Sequence, residues 1–353
     1  MSNEANAIIS PMRLSELGEF GLIKLIHTIT AGYEDPGRTP WRQILLGIGD
    51  DAAAWQSDDR IQLATTDTLV QGVHFDLGVI TWEELGWKAL AVNLSDIAAM
   101  GGIPEYGLLS LALPTESQVE DVSRFIHSMM HLARDSGVAI VGGNVAAAPN
   151  VVITVTIIGR SRGNAMLERS TASPGQQIAV TGYMGSSAAG LQMLRGKAIS
   201  DPEAVDILRR AHLKPVPRVD EGQVLIDQGV RTAIDISDGL VADLDHICES
   251  SKVNAKIHME QVPIHPAVTT YFANHRELAL CGGEDYELLF TADMATVARV
   301  KQALNCPVTV IGETTTEQLP TRVTVVNRRG SIIRCKKEGW DHFRDGVSEA
   351  KLT

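Results

Sequence analysis

Residues Leu45 to Trp55 read LLGIGDDAAAW, which sets Gly47, Gly49 and Ala52 in the G-x-G-x-x-A spacing of a dinucleotide-binding loop, with Asp67 twenty residues after Gly47. Such a loop would hold a pyrophosphate against Asp50 and Asp51. Two like charges about 4 Å apart repel by roughly 4 kcal/mol at an effective dielectric near 20. Either a cation intervenes or the spacing is accidental. The flanks favour accident. RQILLGIG and RIQLATTD read as strands with only DDAAAWQSDD between them, whereas a parallel crossover needs a dozen or more residues, usually with a helix. Two strands joined by a tight polar turn at Ser57–Asp59 are expected, and that counts against the dinucleotide fold.

Working outward, residues 14–31 have amphipathic helical spacing through Leu17, Phe20, Ile23 and Leu25. Thr81-Trp82-Glu83-Glu84 has the form of a capping box, and Leu85, Ala89, Val92 and Ile97 carry a helix to Met100, where Gly101 and Gly102 stop it. A strand YGLLSLALP, a helix over about 116–136, and strands VAIVGGNV and NVVITVTIIGR follow. Residues 161–176 are polar and small, so a boundary is expected there, giving domains 1–160 and 161–353. The second half restarts with strand QIAVTG, a helix from Ser186 and two helices around HLKPVPRVDEG. Strand TAIDIS then feeds helix DGLVADLDHICES, and LCGGEDYELLFTAD supplies a glycine turn and a strand. Strands mixed with helices in both halves predict an α/β (α+β) protein. The likeness of VNLSDIAA to IDISDGLV hints at related halves.

Composition narrows the function. The chain has 353 residues and a formal net charge of −12, with no basic run to neutralise nucleic-acid or membrane phosphates. Neither a nucleic-acid nor a membrane partner is expected. Its four cysteines form no C-x-x-C and read as reduced thiols. The start MSNEANAIIS lacks a basic segment followed by an apolar one, and the cytoplasm is the expected location.

Apolar segments repeatedly end, or are interrupted, at small and acidic residues: ILLGIGDD, IQLATTD, LAVNLSD, TAIDISD and LCGGED. Capping or turn roles account for Asp50, Asp96 or Asp238 taken singly. They do not explain why hydroxyls, carboxylates and glycines recur together. Oxygen-only, carboxylate-rich sites suit Mg²⁺ or Ca²⁺, and without EF-hand spacing Mg²⁺ shared with a phosphate substrate is expected. Gly142-Gly143 after a strand and Gly282-Gly283 before Glu284 would let backbone N–H groups approach phosphate oxygens, although ordinary turns explain each pair as well. No Walker A loop is present, since GLQMLRGKA has the wrong glycine spacing and Ala198 where Ser or Thr would stand.

Taken in order, GEFGLI, GIGDDAA, TTDTLVQGVHF, KALAVNLSDIAAMGG, DISDGL, GGEDYELLFT and GWDHF resemble the thiamine-monophosphate kinase family across nearly the whole chain. Several of these motifs are shared with the wider superfamily of aminoimidazole ribonucleotide synthetase and selenophosphate synthetase. The resemblance implies a two-domain aminoimidazole ribonucleotide synthetase-like fold, with an N-terminal domain that forms a β-barrel with its twin in a homodimer and a C-terminal α/β domain. It implies ATP as co-substrate, several Mg²⁺ ions, and transfer of the γ-phosphoryl group to thiamine monophosphate. By the same resemblance Asp51, Thr65, Thr66, Asp67, Asp96, Asn144, Asp235 and Asp238 are expected metal ligands, with Asp51, Asp67, Asp96 and Asp235 catalytic. Gly143, Asn144, Arg169 and Ser237 are expected to meet ATP. His74, Glu284 and Trp340 are expected to meet the acceptor, whose thiazolium cation suits a carboxylate and an aromatic face. One departure stands out: this chain has Gly142-Gly143-Asn144-Val145 where the family usually has G-G-D followed by threonine. The expected consequence is weaker binding at one metal position.

Overall fold

The computed structural model describes residues 44–46, 53–57, 60–317 and 319–334, and within them two sheets share no strand. In the first half β1 (Ile44–Leu46), β2 (Ala53–Ser57) and β3 (Arg60–Val70) run as successive antiparallel neighbours. Ser57 pairs with Arg60, which agrees with a tight turn at the expected place. AAWQS is itself a strand, however, where only a connection was expected. Antiparallel neighbours need no crossover helix, and the dinucleotide reading falls with that geometry. Gly47 to Ala52 lie outside the described residues.

Helix α1 (Trp82–Ala99) begins at the capping box read from the sequence. The Thr81 hydroxyl accepts from the Glu84 N–H at 3.2 Å, and Glu84 Oε2 accepts from the Thr81 N–H at 2.9 Å. Strand β4 (Ile103–Leu113), helix α2 (Val119–Asp135), β5 (Ala139–Ala147) and β6 (Val152–Arg160) complete a six-stranded sheet in the order β1-β2-β3-β6-β4-β5. Gly142 and Gly143 fall inside β5 rather than after it. Alternation along β6 buries Ile153, Val155 and Ile157 beneath the helices and turns Thr154 and Thr156 to the other face. The sheet is open: no barrel closes among the described residues.

The second half contains β7 (Gln177–Thr181), α3 (Ser186–Leu194), α4 (Pro202–Leu213), α5 (Val219–Asp227), β8 (Thr232–Asp235) and α6 (Leu240–Ser251). Next come β9 (Asn254–His258), α7 (Pro266–Tyr271), α8 (His275–Cys281), β10 (Leu288–Ala292) and α9 (Met294–Ala303). Strands β11 (Val308–Thr315), β12 (Val323–Val326) and β13 (Ile332–Ile333) end the described chain, and the sheet order is β13-β12-β9-β11-β7-β10-β8. VNLSDIAA and IDISDGLV differ locally: the first lies wholly inside α1, and the second leaves β8 through a turn into α6.

Helix α1 joins the halves. It packs on β3, β6 and α2 on one side and on α5 and β8 on the other. Close approach to α5 requires glycine, because a Cβ on Gly222 would lie 2.1 Å from the Ala98 carbonyl oxygen. One apolar core holds Leu94, Ile157 and Phe290 together, while a second gathers Ile178, Leu244, Ile257 and Ile311. Cys248 and Cys306 are free thiols, and burial pushes Cys248 up to about 12. Cys281 departs from the expectation of reduced thiols in being disulfide-bonded.

Candidate active site

The acidic positions converge because β3, α1 and β8 lie side by side. On β3 the Thr65 hydroxyl donates to Asp96 Oδ2 of α1 at 2.5 Å, and the Asp67 N–H donates to Asn93 Oδ1 at 2.9 Å. From the same helix the Ser95 hydroxyl donates to Asp235 Oδ2 at 2.6 Å, at the end of β8. Asn93, Ser95 and Asp235 are all buried. Tyr286, just before β10, sits among these groups. Burial pushes its phenol pKa well up, and the charges of Glu284, Asp67, Asp235 and Asp96 push it the same way. Four carboxylates from four segments thus act on one buried hydroxyl.

The turn between β8 and α6 is fixed from behind. Asp243 Oδ2 accepts the N–H groups of Ser237, Asp238 and Gly239 at 3.1, 3.1 and 3.0 Å. Burial raises the Asp243 carboxyl well above its usual range; Asp238 and Asp235 add to this, while Arg169 opposes it. Asp238, Asp243 and His246 offer ligand atoms within 4.8 Å of one another. Arg169 and Ser237 therefore both lie near Asp243.

A third group surrounds Glu284. The Ser237 carbonyl accepts the Glu284 N–H at 2.7 Å, and a Cβ on Gly283 would lie 2.4 Å from that oxygen, so glycine is required at 283. Glu284 Oε1 lies 2.8 Å from Lys88 Nζ, and Oε2 lies 3.3 Å from His212 Nδ1. Burial opposes ionisation of Glu284 most strongly, but Lys88, His212 and His74 together hold the carboxyl below its ordinary range. His74 Nδ1 accepts the Val70 N–H at 2.9 Å. His74 and Glu284, expected to meet one ligand, are therefore in electrostatic reach of each other.

Two expected ligands point elsewhere. The Thr66 hydroxyl bonds the Val155 carbonyl and Thr156 Oγ1, on the face away from α1. Asn144 falls in the row Thr68–Thr154–Ser110–Asn144, three strand spacings from β3 or about 14 Å, and is exposed. Residues paired across a sheet share a face, so Thr66 and Asn144 present their side chains opposite to Thr65, Asp67 and Asp96. Gly143 pairs with Leu109 in the adjacent row. Asp51 and Trp340 lie outside the described residues.

Lys88, His212, Asp243 and Tyr286 were not singled out from the sequence. Lys88 carried a signal, because a lysine within the apolar run KALAVNL has no solvated face to occupy. His212, Asp243 and Tyr286 sit in ordinary-looking contexts and carried none.

These features define a class. Models of the AIR synthase related protein family match the chain, the N-terminal domain over residues 49–161 and the C-terminal domain over residues 173–324. The Bacillus subtilis (strain 168) thiamine-monophosphate kinase is 39% identical over 329 residues, covering 91% of this chain and 98% of the relative. A solved structure described as "AaThiL complexed with AMPPCP and TMP" shares 34% identity at a TM-score of 0.80, covering 94% of this chain and 99% of that one. The crystal structure of thiamine-monophosphate kinase from Stenotrophomonas maltophilia K279a is 35% identical at a TM-score of 0.71, covering 87% and 96% of the two chains. The chain belongs to the thiamine-monophosphate kinase family.

Proposed function

We propose that this protein transfers the γ-phosphoryl group of ATP to thiamine monophosphate, forming thiamine diphosphate and ADP. The observation that carries this reading is the convergence of Asp67, Asp96 and Asp235 beside Tyr286, in a chain whose relatives bear that name. A phosphate monoester is already a nucleophilic anion near neutral pH and needs no general base. The requirement is to bring two polyanions into line and offset their repulsion, which is a matter of positioning and electrostatics.

Hard carboxylate and hydroxyl oxygens fit Mg²⁺. Thr65, Asp67, Asp96, Asp235 and Asp238 would hold it, with Asp51 a further ligand. Bound there, Mg²⁺ would neutralise polyphosphate charge in the transition state. Arg169 and Ser237 are the proposed ATP contacts on the β8–α6 side, and Gly143 on β5 is a further one. His74, Glu284 and Trp340 are the proposed acceptor contacts.

Thr66 and Asn144 look away from the carboxylates, onto a face that also exposes Tyr106 and Leu108. That exposure supports a homodimer in which this face meets a second copy and the two sheets form a shared barrel. Asn144 and Thr66 would then act at that interface. If Asn144 weakens a metal position, Asn144→Asp will lower the Mg²⁺ concentration for half-maximal rate; an unchanged Mg²⁺ titration sinks the idea. Domains 1–160 and 161–353 and a cytoplasmic location belong to the same reading. The sheets sharing no strand support the boundary. No described helix is long and apolar enough to cross a membrane.

The test is ADP release on adding thiamine monophosphate, with thiamine as control. Release with the monophosphate alone is expected. Activity with thiamine alone overturns the acceptor assignment.

A further inference from the structure

Lys88 is 1% exposed, and its ion-pair partner Glu284 is 31% exposed. A buried ammonium is strongly destabilising without such a partner. The second Glu284 oxygen faces His212 Nδ1, which also lies 3.0 Å from Ser187 Oγ. Burial, reinforced by Lys88 and Arg195, lowers His212 to about 4, so the imidazole is neutral at pH 7. With an oxygen of Glu284 in reach, the tautomer that fits carries hydrogen on Nδ1 and donates. The backbone is also set. Glu284 and Tyr286 have φ values of 66° and 50°, unusual for side chains of their size, and both are tied to the preceding turn by N–H bonds to Ser237 and Ile236.

Two consequences follow. The titratable groups facing Glu284 are Lys88 of α1, His212 of α4, His74 after β3 and the Tyr286 phenol of its own turn. With His212 neutral, Lys88 and Glu284 form an electrically compensated pair, whose field at a nearby cation is that of a dipole and not of a free anion. A carboxylate has about four acceptor sites, however, and these two partners occupy only two. The exposed side of Glu284 can still accept a hydrogen bond.

We infer that Lys88 and His212 are positioning residues for Glu284, fixing its charged carboxylate so that the open side accepts a hydrogen bond from the amine of an aminopyrimidine acceptor instead of serving as counter-ion to a cation. The inference rests on the kinase reading and on Glu284 as an acceptor contact. Thiamine monophosphate carries both groups, an aminopyrimidine and a thiazolium, and an analogue with an oxo group in place of the amine keeps only the cation.

Steady-state kinetics of the full chain with ATP and Mg²⁺ between pH 5.5 and 8 test it. In the wild type, KM for the oxo analogue should exceed that for thiamine monophosphate by about 10-fold or more, as for a lost hydrogen bond to a charged group, and Glu284→Gln should collapse that ratio. In Lys88→Met, KM for thiamine monophosphate should rise by a similar factor and climb further as pH falls, with the effect concentrated in KM. Should Lys88→Met fail to fold, Lys88→Met/Glu284→Gln removes both charges and should show a raised KM whose pH profile parallels that of the wild type, since the acceptor phosphate itself titrates near pH ~6. Equal KM values for amine and oxo acceptors in the wild type, a KM in Lys88→Met that matches the wild type at every pH, or a wild-type KM in the double variant overturns the inference and leaves the kinase reading standing. A wild type that does not phosphorylate thiamine monophosphate removes both.

Discussion

Ser95 is a small side chain with one task visible in the structure, a 2.6 Å hydrogen bond to buried Asp235. Groups that orient metal-binding carboxylates typically cost 10–100-fold in metal affinity or activity when removed. Ser95→Ala should therefore raise the Mg²⁺ requirement by about that factor, read as the Mg²⁺ concentration for half-maximal rate, whereas Asp235→Asn should abolish turnover with the circular dichroism spectrum unchanged. Near-wild-type turnover in Asp235→Asn removes its assigned role. His212 gives a stability prediction. Its folded pKa, about 4, lies below the unfolded 6.5, and it faces Lys88, Arg195, Glu284 and Ser187. Between those values the unfolded chain binds more protons, so stability rises with pH from 4 to 6.5 and is lost as pH falls through that window. The difference in unfolding free energy between wild type and His212→Gln should shift against the wild type by roughly 3 kcal/mol from pH 7 to pH 4, at about 1.4 kcal/mol per unit. Denaturant titrations at both pH values measure it. Asp235 belonged to a motif that could be read. Ser95 gained its role only by meeting β8, which is 140 residues away along the chain.

Helix α1 explains why one segment serves three groups. At 3.6 residues per turn Lys88 and Ser95, seven apart, share one face, and Asn93 and Asp96, three apart, share another. The first pair reaches Glu284 and Asp235 of the second half, and the second pair reaches β3. Thirteen of its 18 residues are buried, so polar side chains there are held by partners and not by water. The capping box starts this helix, and Glu84 is further fixed by Arg209 at 2.9 and 2.8 Å. Thr81→Ala should cost about 1 kcal/mol of unfolding free energy, measured by denaturant titration, with little change in KM. A larger loss accompanied by lost turnover would show that the cap also sets the register of the site. The box was legible because it is local, four residues long and made of residue types that bond their own backbone. Strands β9, β11, β12 and β13 and helices α7 to α9 were not assigned from the sequence, because short elements are specified more by what they pack against than by their own periodicity.

At the scale of the molecule, the first sheet leaves β1 and β5 at its edges and exposes Tyr106 and Leu108 on the face away from α1. The proposed homodimer would cover this face. Leu108→Lys should halve the mass in light scattering, from twice 38.1 kDa to 38.1 kDa; a wild type that is already monomeric at working concentration refutes the shared barrel. The sequence by itself determined what depends on near neighbours: the tight turn before Arg60 that counts against the dinucleotide fold, the capped helix α1 and the class of the protein. The motif order across the chain also led to the family. Tertiary structure alone decided which acidic groups meet. Strand alternation turned Thr66 and Asn144 away from the side that Thr65 and Asp67 share. Packing brought Lys88 against Glu284, nearly two hundred residues further on. The physical reason is range: hydrogen bonds to the local backbone and hydrophobic periodicity act within a few residues, whereas the field at a carboxylate is set by whichever charges folding places within a few ångströms.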